Sequence, residues 1–161
     1  RLDNEMAVEA AATFDLRDLA GNFVEARADT TAGHRLVAEL PEAAVMVRAQ
    51  DGRIVQILDN LLANAVSFAP ADSEITFRLT SDGKGQASLS VHDRGPGIPA
   101  GRLEDVFNRF YSERPAGEAF GEHSGLGLSI AKQIAQGYGG DLTAANDEGA
   151  CFTLTLPTVS A

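Results

Sequence analysis

The chain has 161 residues, 44% hydrophobic and 22% charged, which suits a single globular unit able to close over a proper core. With 23 acidic against 13 basic residues the formal charge is −10, the wrong sign for following a nucleic-acid backbone, so any bound phosphate must meet a local cluster of donors. No run approaches the roughly 20 apolar residues of a membrane span. One cysteine, Cys151, excludes an internal disulfide, and three scattered histidines, His34, His92 and His123, lack metal-ligand spacing.

In chain order, RLDNEMAVEA carries Leu2, Met6 and Ala10 at helical spacing without the apolar run of a secretory signal, and reads as the end of a helix in a fragment of a longer chain. TFDLRDLAGNFVEARA gives a short extended piece and a helix with Leu19, Phe23 and Val24 on one side. RLVAEL and AAVMVRA are strand candidates separated by Pro41. A helix over about 51–67, with Asp51 as its expected cap, turns Ile54, Ile57, Leu58, Leu61, Leu62 and Ala65 toward a core. Gln56, Asn60 and Asn64 form a separate polar stripe on it. EITFRLT and QASLSVHD alternate as half-buried strands joined through the hairpin signal SDGKG.

From Arg94 to Ser124 the pattern breaks into Gly, Pro and charged residues around the aromatic island VFNRFY, a loop long enough to suggest function. SGLGLSIAKQIAQGYGG is a helix in which Leu128, Ile130, Ala131 and Ile134 can be buried, ending at Gly139 and Gly140. DLTAAND and ACFTLTLP close the chain as two strands around Glu148 and Gly149, with Phe152, Leu154 and Leu156 on one face and Thr153 and Thr155 on the other. Cys151, between apolar neighbours, reads as a buried inert thiol. The expected class is α+β: three helices and five to seven strands, the helices on one face of a mixed or antiparallel sheet.

Three segments carry more than a core requires. An Asn oxygen is a neutral hard donor that suits Mg²⁺, whose remaining shell comes from water and nucleotide phosphates, and Asn60 and Asn64 lie one helical turn apart. In HDRGPGI, residues 92–98, glycines 95 and 97 let the backbone approach a flat ligand while the Asp93 carboxylate can accept from an exocyclic amino group. An ordinary strand-ending turn has the same pattern. In SGLGLS, Gly125 and Gly127 open a helix whose free amides favour phosphate oxygens, although close helix packing also explains a lone Gly-x-Gly.

Together, in this order, they resemble the N, G1 and G2 boxes of the GHKL ATP-binding superfamily, and VFNRFY is similar to the F box of sensor histidine kinases. The resemblance runs from about Phe14 to Pro157, and the lid sequence is similar to that of envelope-sensing kinases of alphaproteobacteria. It implies a Bergerat-type two-layer α/β sandwich with a long ATP lid at about 98–124, and a catalytic and ATP-binding domain over 13–161 preceded by the tail of a dimerisation helix at 1–12.

By the same match, Asp93 binds the adenine amino group, partly through water. Asn64 coordinates Mg²⁺, Asn60 lies beside the phosphates, and these two amides are the catalytic pair. Gly95 and Gly97 shape the adenine floor. Ser124, Gly125, Leu126, Gly127 and Leu128 anchor the lid against the triphosphate, and Ile98, Phe107, Phe110 and Tyr111 complete the ATP set. Two departures stand out. Ser67 occupies a position where the family often has Lys or Arg, so that phosphate contact falls to Arg109 or Arg114. His123 replaces a frequent glycine and reads as a solvated surface residue.

The resemblance further implies transfer of the ATP γ-phosphoryl to a histidine on a dimerisation domain, for relay to a response regulator aspartate. None of the three histidines has the family's acceptor setting. The full-length kinase is expected to be a homodimer anchored in the inner membrane, and this fragment a cytoplasmic monomer. The alternatives are a GHKL ATPase of the chaperone or mismatch-repair type, which needs a Glu where Asn60 stands, and a nucleotide-binding scaffold without kinase activity.

Overall fold

The computed structural model describes residues 11–28, 31, 33–99, 101–103, 105–108 and 127–159. Their elements run β1 (Ala12–Asp15), α1 (Leu16–Ala28), β2 (Arg35–Glu39), β3 (Met46–Ala49), α2 (Asp51–Phe68), β4 (Glu74–Ser81), β5 (Gln86–His92), a short 3-10 turn (Asp105–Phe107), α3 (Gly127–Gly137), β6 (Asp141–Asn146) and β7 (Ala150–Pro157). Ala12, at the expected end of the dimerisation helix, already stands in β1, and residues 1–10 lie outside the described set.

Five strands form one sheet in the order β2-β4-β5-β7-β6, with β1 and β3 a separate antiparallel pair. The sheet is mixed: β2 runs parallel to β4, and the other pairings are antiparallel. Period-2 alternation sends Ile75, Phe77 and Leu79 of β4, Ala87, Leu89 and Val91 of β5, and Phe152, Leu154 and Leu156 of β7 into the core. The β4–β5 hairpin closes at Asp82, whose Oδ1 accepts from the amides of Lys84 (2.7 Å) and Gln86 (3.1 Å).

The helices cover the apolar face. On α1, Leu16, Ala20, Phe23 and Val24 are buried, and the Phe23 ring meets Phe77 of β4 at 5.6 Å between centroids. On α2, Ile54, Ile57, Leu58 and Leu61 are each at most 1% exposed, and burying one such side chain is worth about 1.5–3 kcal/mol. The helix starts from Gln50, whose extended backbone occupies the N-cap without a side-chain cap bond, so Asp51 is its first residue and not its cap. It stops at Ala69, extended at φ −75° and ψ 144°, because the ring of Pro70 disfavours the helical region for the residue before it.

Two other expectations change. On α3, Ala131 and Ala135 are buried and Leu128 and Ile134 half-buried, while Ile130 is 39% exposed. It lies about 100° around the helix from Ala131, off the stripe that small alanines bring close to the sheet. Cys151 is half-buried on the outer sheet face with Thr153 and Thr155. Its apolar neighbours in sequence point the other way.

The end of α3 is fixed from two sides. Gly139 takes φ +85°, and a Cβ on Gly140 would lie 1.8 Å from the Thr155 carbonyl oxygen, so one glycine turns the chain and the next lets it cross β7. The Tyr138 hydroxyl accepts from the Gln50 amide at 3.2 Å, tying this turn to the start of α2. Gly140→Ala is expected to cost about 3 kcal/mol or more by overpacking against backbone. Gly137→Ala, whose added methyl meets nothing within 4 Å, should be neutral or gain up to about 1 kcal/mol. Urea unfolding of the pair checks the contrast, and equal effects would contradict it.

Candidate nucleotide site

The amide stripe of α2 organises the candidate site. Asn60 Nδ2 donates to the Gly127 carbonyl at 3.2 Å, and a Cβ on Gly127 would meet Asn60 Oδ1 at the same distance. Eight residues on, a Cβ on Gly95 would lie 2.6 Å from the Phe68 carbonyl oxygen. One face of one helix therefore touches the start of α3 at one point and the loop after β5 at the other, about 12 Å apart by helical rise. Asn64 lies between them, 7% exposed. Gln56, the first member of the stripe, is bonded to Arg53 (3.1 Å).

Asp93, 2% exposed, directly follows β5. Its Oδ1 accepts from the Gly95 amide at 2.7 Å and from the Ala150 amide at 3.2 Å, so the side chain closes its own turn and pins it to the start of β7. Both bonds fall on one oxygen; Oδ2 takes neither. Gly149 is needed beside it: at φ +126° its Cβ would fall 2.0 Å from the Asp93 carbonyl oxygen. Gly97 has φ +86°, and Ile98 is buried.

Phe107 packs edge-on to Phe152, with centroids 5.9 Å apart. Lys132 Nζ of α3 sits 4.6 Å from the Phe107 centroid, donates to the Leu142 carbonyl at 2.7 Å and pairs with Asp141 Oδ1 at 3.0 Å. The start of the aromatic island is thus anchored to β7 and α3. Arg109, Phe110, Tyr111, Arg114, Ser124, Gly125 and Leu126 lie outside the described residues, as does His123.

The structure brings Asn60 against Gly127, and Gly95, bonded to Asp93, against the end of α2 at Phe68, with Asn64 on the helix between these contacts, Gly97 and Ile98 continuing the Gly95 loop and Leu128 following Gly127 on α3. Lys132, Asn146 and Gly149 border the candidate site as well, outside the three segments that the sequence marks. Of these, Asn146 had a visible signal, an amide closing a strand just before a glycine turn. A groove of about 410 Å³ between α1 and the start of α2, lined in part by Phe14, Asp18, Phe23 and Val55, shares no residue with these segments.

The donor set bears on a metal. Among the described residues no group of three or more His, Cys, Asp or Glu could hold one. Asn64 offers a single neutral oxygen, which fits an ion that arrives with most of its shell supplied by water and phosphate.

Residues 49–160 match the family described as histidine kinase-, DNA gyrase B-, and HSP90-like ATPase, and the chain belongs to that family. It is 40% identical over 173 residues to the sensor protein ChvG of Rhizobium meliloti (strain 1021), covering 98% of this chain and 30% of that protein. It is 36% identical over 124 residues to the sensor histidine kinase WalK of Bacillus subtilis (strain 168), covering 75% of this chain and 20% of that one. In three dimensions it is similar to the mycobacterial sensor histidine kinase MprB, with a TM-score of 0.77 at 25% identity over 93% of this chain and 99% of that one. Full-length ShkA in complex with AMPPNP gives a TM-score of 0.78 at 25% identity over 94% and 32%. The chain spans less than a third of the length of these curated relatives.

Two predictions follow from the anchors. Asp93→Ala orphans the amides of Gly95 and Ala150 and should cost at least about 2 kcal/mol, since each buried unsatisfied donor costs ~1–3 kcal/mol; Asp93→Asn, which keeps an oxygen for them, should cost far less. Urea denaturation distinguishes the two, and indistinguishable losses would contradict the assignment. The second concerns Asp141, whose carboxyl is held below its ordinary range by the bond from Lys132, then by the Leu142 amide. A depressed folded pKa makes this contribution complete above the unfolded value, about 4, and drains it as pH falls through the folded one. Stability curves of wild type and Asp141→Asn should therefore converge below about pH 4. Parallel curves would disprove the linkage.

Proposed function

We propose that this chain is the ATP-binding catalytic domain of a sensor histidine kinase, donating the γ-phosphoryl of Mg-ATP to a histidine on a dimerisation domain of the same kinase. From there the phosphoryl passes to an aspartate of a response regulator. The observation that carries the reading is the double contact of the α2 stripe, with Gly127 at Asn60 and with Gly95 at Phe68. It puts the start of α3 and the loop that follows the buried Asp93 against one face of α2, at points about 12 Å apart by helical rise, a span that suits a nucleotide, with Asn64 between.

In this reading Asp93 accepts from the adenine amino group through Oδ2. Gly95, Gly97 and Ile98 form the floor, Gly127 and Leu128 open α3 toward the phosphates, and Asn60 holds α3 against α2 beside them. Asn64 supplies the ligand oxygen for magnesium, which when bound neutralises phosphate charge. Arg109, Arg114, Ser124, Gly125 and Leu126 serve the phosphates, and Phe110 and Tyr111 extend the aromatic anchor begun by Phe107. The chain's share of the chemistry is positioning.

Hydrolysis is disfavoured by two residues. Asn60 cannot take a proton from water. The neighbouring carboxylate, Asp59, is engaged by Arg27 through both oxygens, at 2.7 and 3.1 Å. We place the domain on the cytoplasmic side of an inner-membrane sensor, where ATP is supplied, in a homodimeric full-length protein; among the described residues no helix is long and apolar enough to cross a membrane.

Titration with ATP, with and without Mg²⁺, tests the site. Asp93→Asn should lose about 10–100-fold in affinity, the worth of a hydrogen bond to a charged group, and Asn64→Ala should abolish the gain from magnesium. With a separately supplied dimerisation domain, radiolabel from γ-labelled ATP should move to that domain. Rapid Mg²⁺-dependent release of free phosphate without it would instead establish a hydrolase.

A further inference from the structure

The loop after the central strand β5 is held at its far end by a residue from the edge strand β6. Asn146, the last residue of β6, accepts from the Ile98 amide through Oδ1 at 2.7 Å and donates through Nδ2 to the Ile98 carbonyl at 2.9 Å. A side-chain amide thereby makes the two bonds a neighbouring strand would make to an extended residue. Past Asp93, whose amide still donates to the Ala150 carbonyl at 3.0 Å, residues 94–98 belong to no strand, and the Asn146 amide serves the backbone of the buried Ile98 in a strand's place. The fit is close: a Cβ on Gly97 would meet Asn146 Oδ1 at 2.8 Å, and Gly97 already has φ +86°.

At its near end the same loop is tied by Asp93 Oδ1 to the Gly95 amide and pressed against Phe68 of α2. Its four residues, Gly95 to Ile98, are thus clamped between a carboxylate that follows β5 and an amide that ends β6. Glycines make such a segment permissive, with much conformational freedom to lose. Without the far clamp it has no reason to present one shape.

We infer that Asn146 is a positioning residue for base selection, fixing the Gly95–Ile98 floor so that a purine bearing an exocyclic amino group is set against Asp93. The inference rests on the nucleotide reading above. Asn146 need not touch the ligand; it acts through Gly97 and Ile98. The chemistry demands an amide, because only a side chain that both donates and accepts can serve both atoms of Ile98. Asp keeps the shape but sets a carboxylate oxygen against the Ile98 carbonyl, and Ser reaches one atom at most.

The test compares ATP with inosine triphosphate, whose base carries an oxo group in place of the exocyclic amine, on the whole chain. Wild type should prefer ATP. Asn146→Asp and Asn146→Ser should lose about tenfold for ATP, the worth of one such polar contact, and little for inosine triphosphate, collapsing the preference. Thermal melting should show both variants folded. A merely structural role would weaken both nucleotides alike and leave their ratio unchanged, and that result in either folded variant overturns the inference. If Asp93→Asn loses the preference while both Asn146 variants retain it, the nucleotide reading stands and the role of Asn146 falls. If wild type itself shows no preference for ATP, both fall together.

Discussion

The fold and its candidate site both depend on where one buried carboxylate spends its lone pairs. Asp93 Oδ1 accepts from Gly95 two residues on and from Ala150 fifty-seven residues away, and a charged acceptor makes each bond stronger than a neutral one. The side chain therefore does structural service, closing the end of β5 onto the start of β7, while its other oxygen is left out of that service. Burial at 2% exposure would be costly for a carboxylate with nothing to bind, and the two amides offset that cost. A group so tightly held is also pre-oriented: the free oxygen is presented in one direction before any ligand arrives, which lowers the ordering cost of binding.

The same economy appears on α2. Its apolar side must face the sheet, so the stripe one quarter-turn away is left at the edge of the helix layer, half-covered by α3 and by the loop after β5. Apolar residues there would have fused the elements into a continuous core. Amides keep the seam polar without charge: Asn60 uses its Nδ2 on the Gly127 carbonyl, at the start of α3, the end of a helix that favours anions. Arg27 and Asp59 do the equivalent on the other flank of α2, with the guanidinium also lying 4.0 Å over the Phe23 ring. That bidentate pair holds Asp59 on the α1 side of the helix and Asn60 on the α3 side.

Much of this was legible before the coordinates because periodic segments report their own geometry. The α2 pattern gave every one of its buried residues save Asn64, whose burial follows from the elements that cover the amide stripe, and SDGKG marked the β4–β5 turn. Legibility failed where a neighbour in space decides. Asp51 has the chemistry of a cap, yet the chain enters α2 from β3 one residue earlier, at Gln50. Ile130 is apolar, but two alanines set the line of closest approach of α3. Cys151 has apolar neighbours in sequence, and on a strand those neighbours face away. The strand order, with β2 parallel to β4 at one edge, has no local signature. Nor do the contacts that bring Gly149 against Asp93 and Asn146 against Ile98, since each joins partners about fifty residues apart.

Ser67 shows how such partners bear on the chemistry. At the position where the family resemblance leads one to expect Lys or Arg, this chain has a half-buried hydroxyl. The turn it occupies carries the Phe68 carbonyl that meets Gly95 and the Ala69 carbonyl that meets His34 Nε2 at 3.3 Å. A helix C-terminus already welcomes positive charge, so a lysine here would be tolerated by the fold; its absence is a statement about the ligand. In the proposed site, an acidic domain, −10 overall, with no fixed cation at position 67 would leave phosphate charge to the metal and to Arg109 and Arg114. Under the proposed reading that makes the hold on the triphosphate conditional on the lid, while the hold on the base, through Asp93 and its clamped loop, is permanent.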